Sequence, residues 1–201
     1  MKIGPKYRMP FKRRVKRKTN YKQRLRFLTS KKHRLVVRKS SKHVSAQIID
    51  FNKKGDQIIV HATSQELKKF GWSGSTNNLV CAYFVGLLIG NKALKKNIKS
   101  AILDIGLERK TKGSRLFGVL KGVLDAGLTI SHSTEILPSD DRIMGKHIID
   151  YAKKLKKEDL KMYKKQFSTY DPEKLSEIYD KIKSKIMKGS VYAKGKSGKK
   201  G

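Results

Sequence analysis

The chain has 201 residues, of which 49 are lysine or arginine and 16 are aspartate or glutamate, so its formal net charge is +33. A hydrophobic share of 37% is too high for a chain that is disordered throughout, and the composition fits neither a collagen-like nor a membrane-embedded protein. This charge predicts a polyanionic partner, with nucleic acid first and an anionic membrane surface second. The single cysteine, Cys81, excludes an intramolecular disulfide and a cysteine zinc cluster, as is typical of an intracellular protein.

The positive charge is concentrated at the two ends of the chain. Residues 1–49 contain 18 basic residues and no carboxylate, residues 50–150 contain 15 basic and 10 acidic residues, and residues 151–201 contain 16 and 6. Eight of the 11 arginines lie within the first 38 residues. Arginine binds phosphate through two parallel hydrogen bonds and stacks on bases, whereas lysine acts as a mobile point charge. The amino-terminal segment is therefore interpreted as a specific polyanion-binding arm rather than as a solvated tail.

The first 18 residues contain Pro5 and Pro10 and show no hydrophobic periodicity, which predicts an extended arm. No apolar segment follows the early charges, so we expect no signal peptide. The run KRRVKRK at residues 12–18 could serve as a nuclear localisation signal, but such runs are common in RNA-binding proteins. Aromatic side chains interleave with the cations, as in proteins that hold irregular RNA by phosphate contacts and base stacking. They are Tyr7, Phe11, Tyr21 and Phe27, the last of which is better explained by local packing.

A short helix is predicted over residues 21–28, with Thr19 or Asn20 as its cap. Three strand-like runs rich in β-branched residues follow, joined by short polar turns, one of which contains Gly55. These runs lie at residues 34–40, 44–51 and 57–63. Because the turns are short, the runs predict an antiparallel meander.

The next predicted helix has eleven consecutive apolar or glycine residues at 79–89. A membrane-spanning helix needs about 20 such residues, so this one is expected to be buried on all sides within the protein. Cys81 lies inside it and is expected to be an inert core residue. The candidate caps are Ser73, Ser75 and Thr76.

A short buried strand is predicted at residues 101–107, a helix at 113–127 with Ser114 as its cap and Gly127 as its carboxy-terminal stop, and a last strand at 128–130. Together with the meander, these elements predict an α/β domain with a mixed sheet, whose later strands run parallel because helices connect them. Two glycines spaced by four residues in the helix at 113–127 predict close packing against a sheet, with approach to an RNA backbone as the less favoured alternative. They are Gly118 and Gly122.

Two lysine-rich helices are predicted beyond this domain, over residues 142–167 and 172–188. The second begins with Asp171 as cap and Pro172 at its first position. It carries an apolar stripe that could dock on the domain, dock on a neighbouring protein or lie on a membrane. The stripe consists of Leu175, Ile178, Tyr179, Ile182 and Ile186. Residues 194–200 read as a low-complexity tail.

Catalytic patterns are weak in this sequence. The histidines lack metal-ligand spacing, and we find neither a phosphate loop nor a nucleophile elbow. Asp50, Asp104 and Asp125 could in principle converge as a two-metal nuclease site, but roles at helix ends, in turns and in salt bridges explain them better. The protein is therefore not expected to be an enzyme, and neither a metal nor another cofactor is expected.

Several segments occur in an order and at spacings that closely resemble the archaeal branch of the family of large-subunit ribosomal protein eighteen, whose eukaryotic counterpart carries the number five. These segments are RLVVRKS, AQII, KGD, GW, GLLIG, AILDIGL, KGSRLFGVLKG and DAGL, within residues 5–155. The resemblance implies a three-layer domain with a mixed sheet of about five strands and a topology related to ribonuclease H. The chain is accordingly divided into three parts: a basic RNA-binding arm with a short helix at 1–30, an α/β core at 31–140, and a lysine-rich helical extension with its tail at 141–201.

The resemblance also implies a non-catalytic role in binding 5S rRNA and attaching it to 23S rRNA in the central protuberance of the large subunit, beside neighbouring ribosomal proteins. It thus implies a cytoplasmic protein of the ribosome, without a membrane partner and without homo-oligomers. The family's arm maps onto Arg8, Arg13, Arg14, Arg17, Lys18, Tyr21, Arg24 and Arg26, and continues at Arg34, Arg38, Lys39 and Lys42. Lys6, Lys12, Lys16, Trp72 and Arg115 complete the candidate RNA-binding residues. Ser131 departs from the proline usual in relatives, and residues past about 160 match poorly, so charge alone suggests a role for them.

Overall fold

The computed structural model describes residues 4–168 and 170–188. A four-stranded mixed sheet lies at its centre, in the order β3-β2-β1-β4. The strands are β1 (Arg34–Lys39), β2 (Val44–Asp50), β3 (Gln57–Thr63) and β4 (Ile102–Asp104). The first three form an antiparallel meander and β4 pairs parallel to β1, which confirms the predicted α/β class and mixed sheet. The predicted low-complexity tail lies outside the described residues.

The amino-terminal segment contains two helices, α1 (Lys12–Val15) and α2 (Tyr21–Thr29). The expectation of an extended arm over residues 1–18 is therefore wrong at α1, because a single turn is too short to produce a hydrophobic period. The prediction of α2 is confirmed. Its cap is Asn20, whose side-chain oxygen accepts a hydrogen bond of 3.2 Å from the backbone N–H of Gln23.

Two helices, α3 (Leu79–Leu94) and α4 (Arg115–Asp125), pack side by side against one face of the sheet. Alternate strand residues such as Leu35, Val37 and Ile48 are fully buried there. In α3, 13 of the 16 residues are buried, as its unbroken apolar run predicted. The cap is Asn78 instead of the serines and threonine upstream, because Asn78 directly precedes the apolar run and accepts a 2.7 Å hydrogen bond from the Cys81 N–H.

The two glycines of α4 pack against α3, so the predicted contact with a sheet is wrong. A Cβ on Gly118 would lie 2.7 Å from Leu79 Cδ1, and a Cβ on Gly122 would lie 2.8 Å from the Leu87 nitrogen. Sequence spacing shows that a smooth ridge exists but not which surface meets it. The last predicted strand is also wrong, since Thr129 forms only an isolated parallel bridge with Ser100, and the sheet has four strands instead of about five.

The first lysine-rich segment is divided into three helices instead of forming one. They are α5 (Asp140–Met144), α6 (Lys146–Glu158) and α7 (Leu160–Gln166). Gly145, with φ at +84°, separates α5 from α6, and Asp159 caps α7 through hydrogen bonds from the N–H groups of Lys161 and Met162. The breaks therefore arise from one left-handed residue and one cap inside a continuous charge pattern.

The last helix, α8 (Leu175–Met187), packs against α3 and α5. It follows a 3₁₀ turn at Pro172–Lys174, in which Asp171 accepts a hydrogen bond from the Glu173 N–H, as predicted for the cap. Four residues of its apolar stripe are buried, namely Leu175, Tyr179, Ile182 and Ile186. Of the three alternatives for this stripe, docking on the domain is the one that the structure shows.

Candidate nucleic-acid interface

The amino-terminal cations form a solvent-exposed surface on α1 and the residues beside it. Lys6, Arg8, Lys12, Arg13, Arg14, Lys16, Arg17 and Lys18 are all exposed. Within residues 4–168 and 170–188, none of these eight side chains forms an ion pair with a carboxylate. Their charge is therefore uncompensated by the protein and available to an external anion.

The arm is held against the start of α2 by two contacts. Arg13 Nε donates a 2.8 Å hydrogen bond to Thr19 Oγ1. The rings of Phe11 and Tyr21 lie with their centroids 5.0 Å apart, although most of the Phe11 side chain remains exposed. These contacts give the cations of α1 a defined direction, which is a structural advantage over a freely moving tail.

An ion-pair network joins α2 to the sheet. Asp56 accepts from Arg24 Nη2 at 2.9 Å and from Arg34 Nη2 at 2.7 Å. Asp104 interacts with Arg34 Nη1 at 3.4 Å and with Arg38 Nη2 at 3.2 Å. Asp56 was not among the residues predicted from the sequence, whereas Asp104 was considered both as a metal ligand and as a salt-bridge partner. The available signal for Asp56 was its position soon after an acid-free segment of 49 residues.

Arg34 and Arg38 of this network differ in how far their side chains are exposed to solvent. The Arg34 side chain is only 5% exposed, so it organises the network rather than presenting a free guanidinium. Arg38 is 45% exposed and also donates a 2.7 Å hydrogen bond to the Asp104 carbonyl oxygen. Because three protein acceptors already fix its guanidinium, Arg38 is pre-organised to bind an anion with its remaining donors.

A surface pocket of about 250 Å³ separates α2 from the outer face of the sheet. Cations on its wall come from the arm, α2 and β1, while apolar side chains form part of its lining. The cations are Arg13, Lys18, Arg24, Arg34 and Arg38, and the apolar residues are Phe27, Val36, Ile49 and Leu107. Asp56 and Asp104 also line the pocket and pair with three of these five cations. The remaining excess of positive charge beside apolar surface suits a sugar-phosphate chain with an adjoining base.

The remaining candidates do not join this surface as one group. Lys39 and Arg115 line a second pocket, at the amino-terminal ends of α3 and α4. Lys42 is exposed in the turn between β1 and β2, and Arg26 is exposed on α2. Trp72 is only 3% exposed, its ring packs edge-on against Phe84, and its indole N–H donates to the Ser75 carbonyl oxygen at 3.1 Å. In this position Trp72 serves the core.

The three aspartates of the nuclease alternative have separate partners. Asp50 lies 3.6 Å from His33 Nδ1, Asp104 is in the arginine network, and Asp125 accepts a 2.9 Å hydrogen bond from the Tyr83 hydroxyl. Among the described residues, no three histidine, cysteine or acidic side chains come together where they could hold a metal ion. The geometry therefore offers no support for a two-metal site at these aspartates.

The fold and the exposed cations define a basic α/β protein with a surface suited to a polyanion. Comparison with known families narrows this class: the chain belongs to the family of ribosomal large-subunit proteins 60S L5 and 50S L18, whose model matches residues 5–100 and 96–133. The resemblance found in the sequence is thereby confirmed. Membership identifies a protein of the large ribosomal subunit with a role in translation, and the family implies a structural role, with rRNA and ribosomal proteins as partners.

Proposed function

We propose that this protein binds 5S rRNA and helps to attach it to 23S rRNA in the central protuberance of the large subunit. In this proposal residues 1–30 form the main RNA-binding arm, residues 31–140 the α/β core, and residues 141–201 a basic extension. Neighbouring large-subunit proteins complete its surroundings in the cytoplasmic ribosome, where it acts as a single copy. The ribonuclease H-like topology implied by the resemblance stays a prediction.

The observation that carries this proposal is the uncompensated charge of the arm. Eight exposed cations lie on and around α1 without a carboxylate partner among the described residues. Beside them, Arg38 and Arg24 are fixed by carboxylates at the pocket below α2. A protein that neutralises RNA phosphates needs both features, because charge supplies affinity and fixed donors supply a defined register.

The alternative of a membrane-surface protein depended on the apolar stripe of α8. That stripe is buried against the core, where Tyr179 stacks on Tyr83 with ring centroids 6.0 Å apart. In the part of the chain that the structure describes, no helix combines the length and the apolar character needed to cross a bilayer. The apolar stripe of α8 is thus used in packing within the protein.

Crosslinking followed by sequencing of the bound RNA tests this proposal directly. Full-length protein is crosslinked within intact ribosomes, and the attached fragments are sequenced. We expect 5S rRNA to be the principal species, with 23S rRNA fragments beside it and with crosslinked peptides from the arm. Recovery of rRNA from other parts of the large subunit without 5S rRNA would refute the proposal.

A further inference from the structure

A second basic pocket, which we call the helix-end pocket, lies where the amino-terminal ends of α3 and α4 meet the carboxy-terminal helices. Its volume is about 450 Å³. The residues that line it come from β1, the two helix starts, α5 and α6. They include Lys39, Asn78, Ser114, Arg115, Arg142 and His147.

Three side chains bring positive charge to this pocket. Arg115 is anchored by a 2.8 Å hydrogen bond from its Nη1 to the Asn77 carbonyl oxygen, and Lys39 pairs with Glu108 at 2.9 Å. Arg142 has no carboxylate partner among the described residues, since the neighbouring Asp141 pairs with Lys146. Cations from three separate elements thus surround one cavity, and one of them, Lys39, is paired with the carboxylate of Glu108.

His147 completes the rim of the helix-end pocket. Burial lowers the pKa of His147, and the positive charge of Arg142 lowers it further, against the opposing charge of Asp150. In its neutral form the imidazole still donates one N–H. The helix starts add the partial positive charge of two helix dipoles at the same place.

Two buried side-chain donors at the helix-end pocket have no hydrogen-bond partner among the described residues. Four buried side-chain atoms in the described structure have no hydrogen-bond partner, and two of them, Asn78 Nδ2 and Ser114 Oγ, belong to residues that line this pocket. Both groups can donate a hydrogen bond, and a buried unpaired polar group is costly. Together with the guanidinium groups of Arg115 and Arg142, these two donors form a set that suits an acceptor carrying negative charge.

We propose that the helix-end pocket binds a phosphate of the RNA backbone, at a site separate from the arm. Arg115, Arg142 and Lys39 supply the charge, while Ser114, Asn78 and His147 supply neutral donors. This proposal rests on the proposed RNA-binding function, and it adds Ser114, Asn78, Arg142 and His147 to the residues that contact RNA. It also gives the first turns of the carboxy-terminal helices a function, because α5 and α6 complete the pocket.

Two variants of the full-length protein test this site. Arg142→Gln removes an exposed, unpaired charge, and Lys153→Gln is the matched control, since it removes one exposed charge elsewhere on α6. Ser114→Ala removes an orphaned hydroxyl, so it is expected to leave the stability of the free protein unchanged or higher. If the site binds RNA, both pocket variants weaken 5S rRNA binding at 0.15 M salt, by roughly fivefold to tenfold for Arg142→Gln. That variant also reduces the dependence of log K on log salt by about 1.

A second measurement distinguishes binding of free phosphate from binding of RNA. It also distinguishes failure of this proposal from failure of the proposed function. Inorganic phosphate is titrated into the protein while the backbone N–H signals at residues 78–80 and 113–115 are followed by NMR. We expect saturable shifts that Ser114→Ala and Arg142→Gln weaken. If free phosphate saturates the site but the pocket variants keep the RNA affinity and salt slope of the unaltered protein, the assignment to RNA is overturned. If phosphate causes no saturable shifts and the variants bind RNA normally, the site itself is overturned. Both outcomes leave arm-dependent RNA binding intact, whereas failure of every 5S rRNA measurement in the unaltered protein refutes the proposed function.

Discussion

Gly86 of α3 and Gly122 of α4 face each other where the two helices cross. A Cβ on Gly86 would lie 3.0 Å from the Gly122 Cα, and it would overlap the carbonyl oxygen of Val119. A Cβ on Gly122 would overlap the carbonyl oxygen of Tyr83 in the same way. The distance between the helices is therefore set by two missing side chains, and this contact holds the layer that packs against the sheet.

Gly122→Ala is expected to destabilise the protein although alanine favours a helix more than glycine does. Helix propensity favours alanine by about 1 kcal/mol, but backbone atoms cannot move aside as a flexible side chain can, and overpacking costs about 1–3 kcal/mol or more. Urea unfolding followed by circular dichroism measures the difference. Gly4→Ala is the control, because its Cβ meets nothing within 4 Å, and equal stabilities for the two variants would contradict the packing argument.

Asp56→Asn is expected to lower the free energy of unfolding by about 2 kcal/mol, because the buried Arg34 guanidinium loses its 2.7 Å partner. Asp56 is 23% exposed, so water compensates part of the loss. Glu135→Gln is the control: its pair with Lys112 is more than 70% exposed on both sides and should contribute well under 1 kcal/mol. Equal losses in urea unfolding would mean that the network gives no more stability than a surface pair.

Ile182→Ala is expected to destabilise the protein by about 2–5 kcal/mol, because Ile182 is 2% exposed in the stripe of α8. Lys181→Ala, on the exposed face of the same helix, should change the free energy of unfolding by no more than about 0.5 kcal/mol. Thermal unfolding of the two variants makes the comparison. If Ile182→Ala leaves stability unchanged but reduces co-pelleting with anionic vesicles, the stripe binds membranes and the docked helix is wrong.

Because of Cys81, the free energy of unfolding is expected to fall at high pH. Burial raises the pKa of its thiol from 9.0 to about 12, so the native state keeps a proton that the unfolded chain releases. The contribution of the protonated Cys81 thiol to the free energy of unfolding is therefore complete below pH 9 and is lost as pH rises from 9 towards 12. Each pH unit in that window should cost the native protein about 1.4 kcal/mol more than it costs Cys81→Ala. Chemical unfolding at pH 8 and pH 10.5 tests this, and parallel losses in both proteins would contradict it.

The sequence was sufficient for elements whose residues carry a strong local pattern. The meander, the capped helix α2 and the buried helix α3 follow from β-branched runs, Asn20 and an unbroken apolar segment. It was insufficient where one residue interrupts a pattern, as Gly145 does between α5 and α6. It was also insufficient where a residue's role depends on the surface that packs against it, as at Gly122, which meets α3 and not the sheet. The arm was evident from composition, but the helix-end pocket was not. Arg115 and Arg142 come together only through the packing of α5, and no spacing rule connects them.

The arm should dominate the salt dependence of RNA binding. If the protein neutralises about ten phosphates, log K for 5S rRNA falls with log salt at a slope of about −7 to −9. Changing Arg8, Arg13, Arg14 and Arg17 to glutamine should reduce the slope by about 3, because these exposed side chains lack carboxylate partners in the described structure. The matched control changes four exposed lysines of α6 and α7, namely Lys153, Lys161, Lys164 and Lys165. Filter binding across a salt series gives both slopes. An arm variant that keeps the original slope while the lysine variant loses it would move the principal RNA contact to the carboxy-terminal helices.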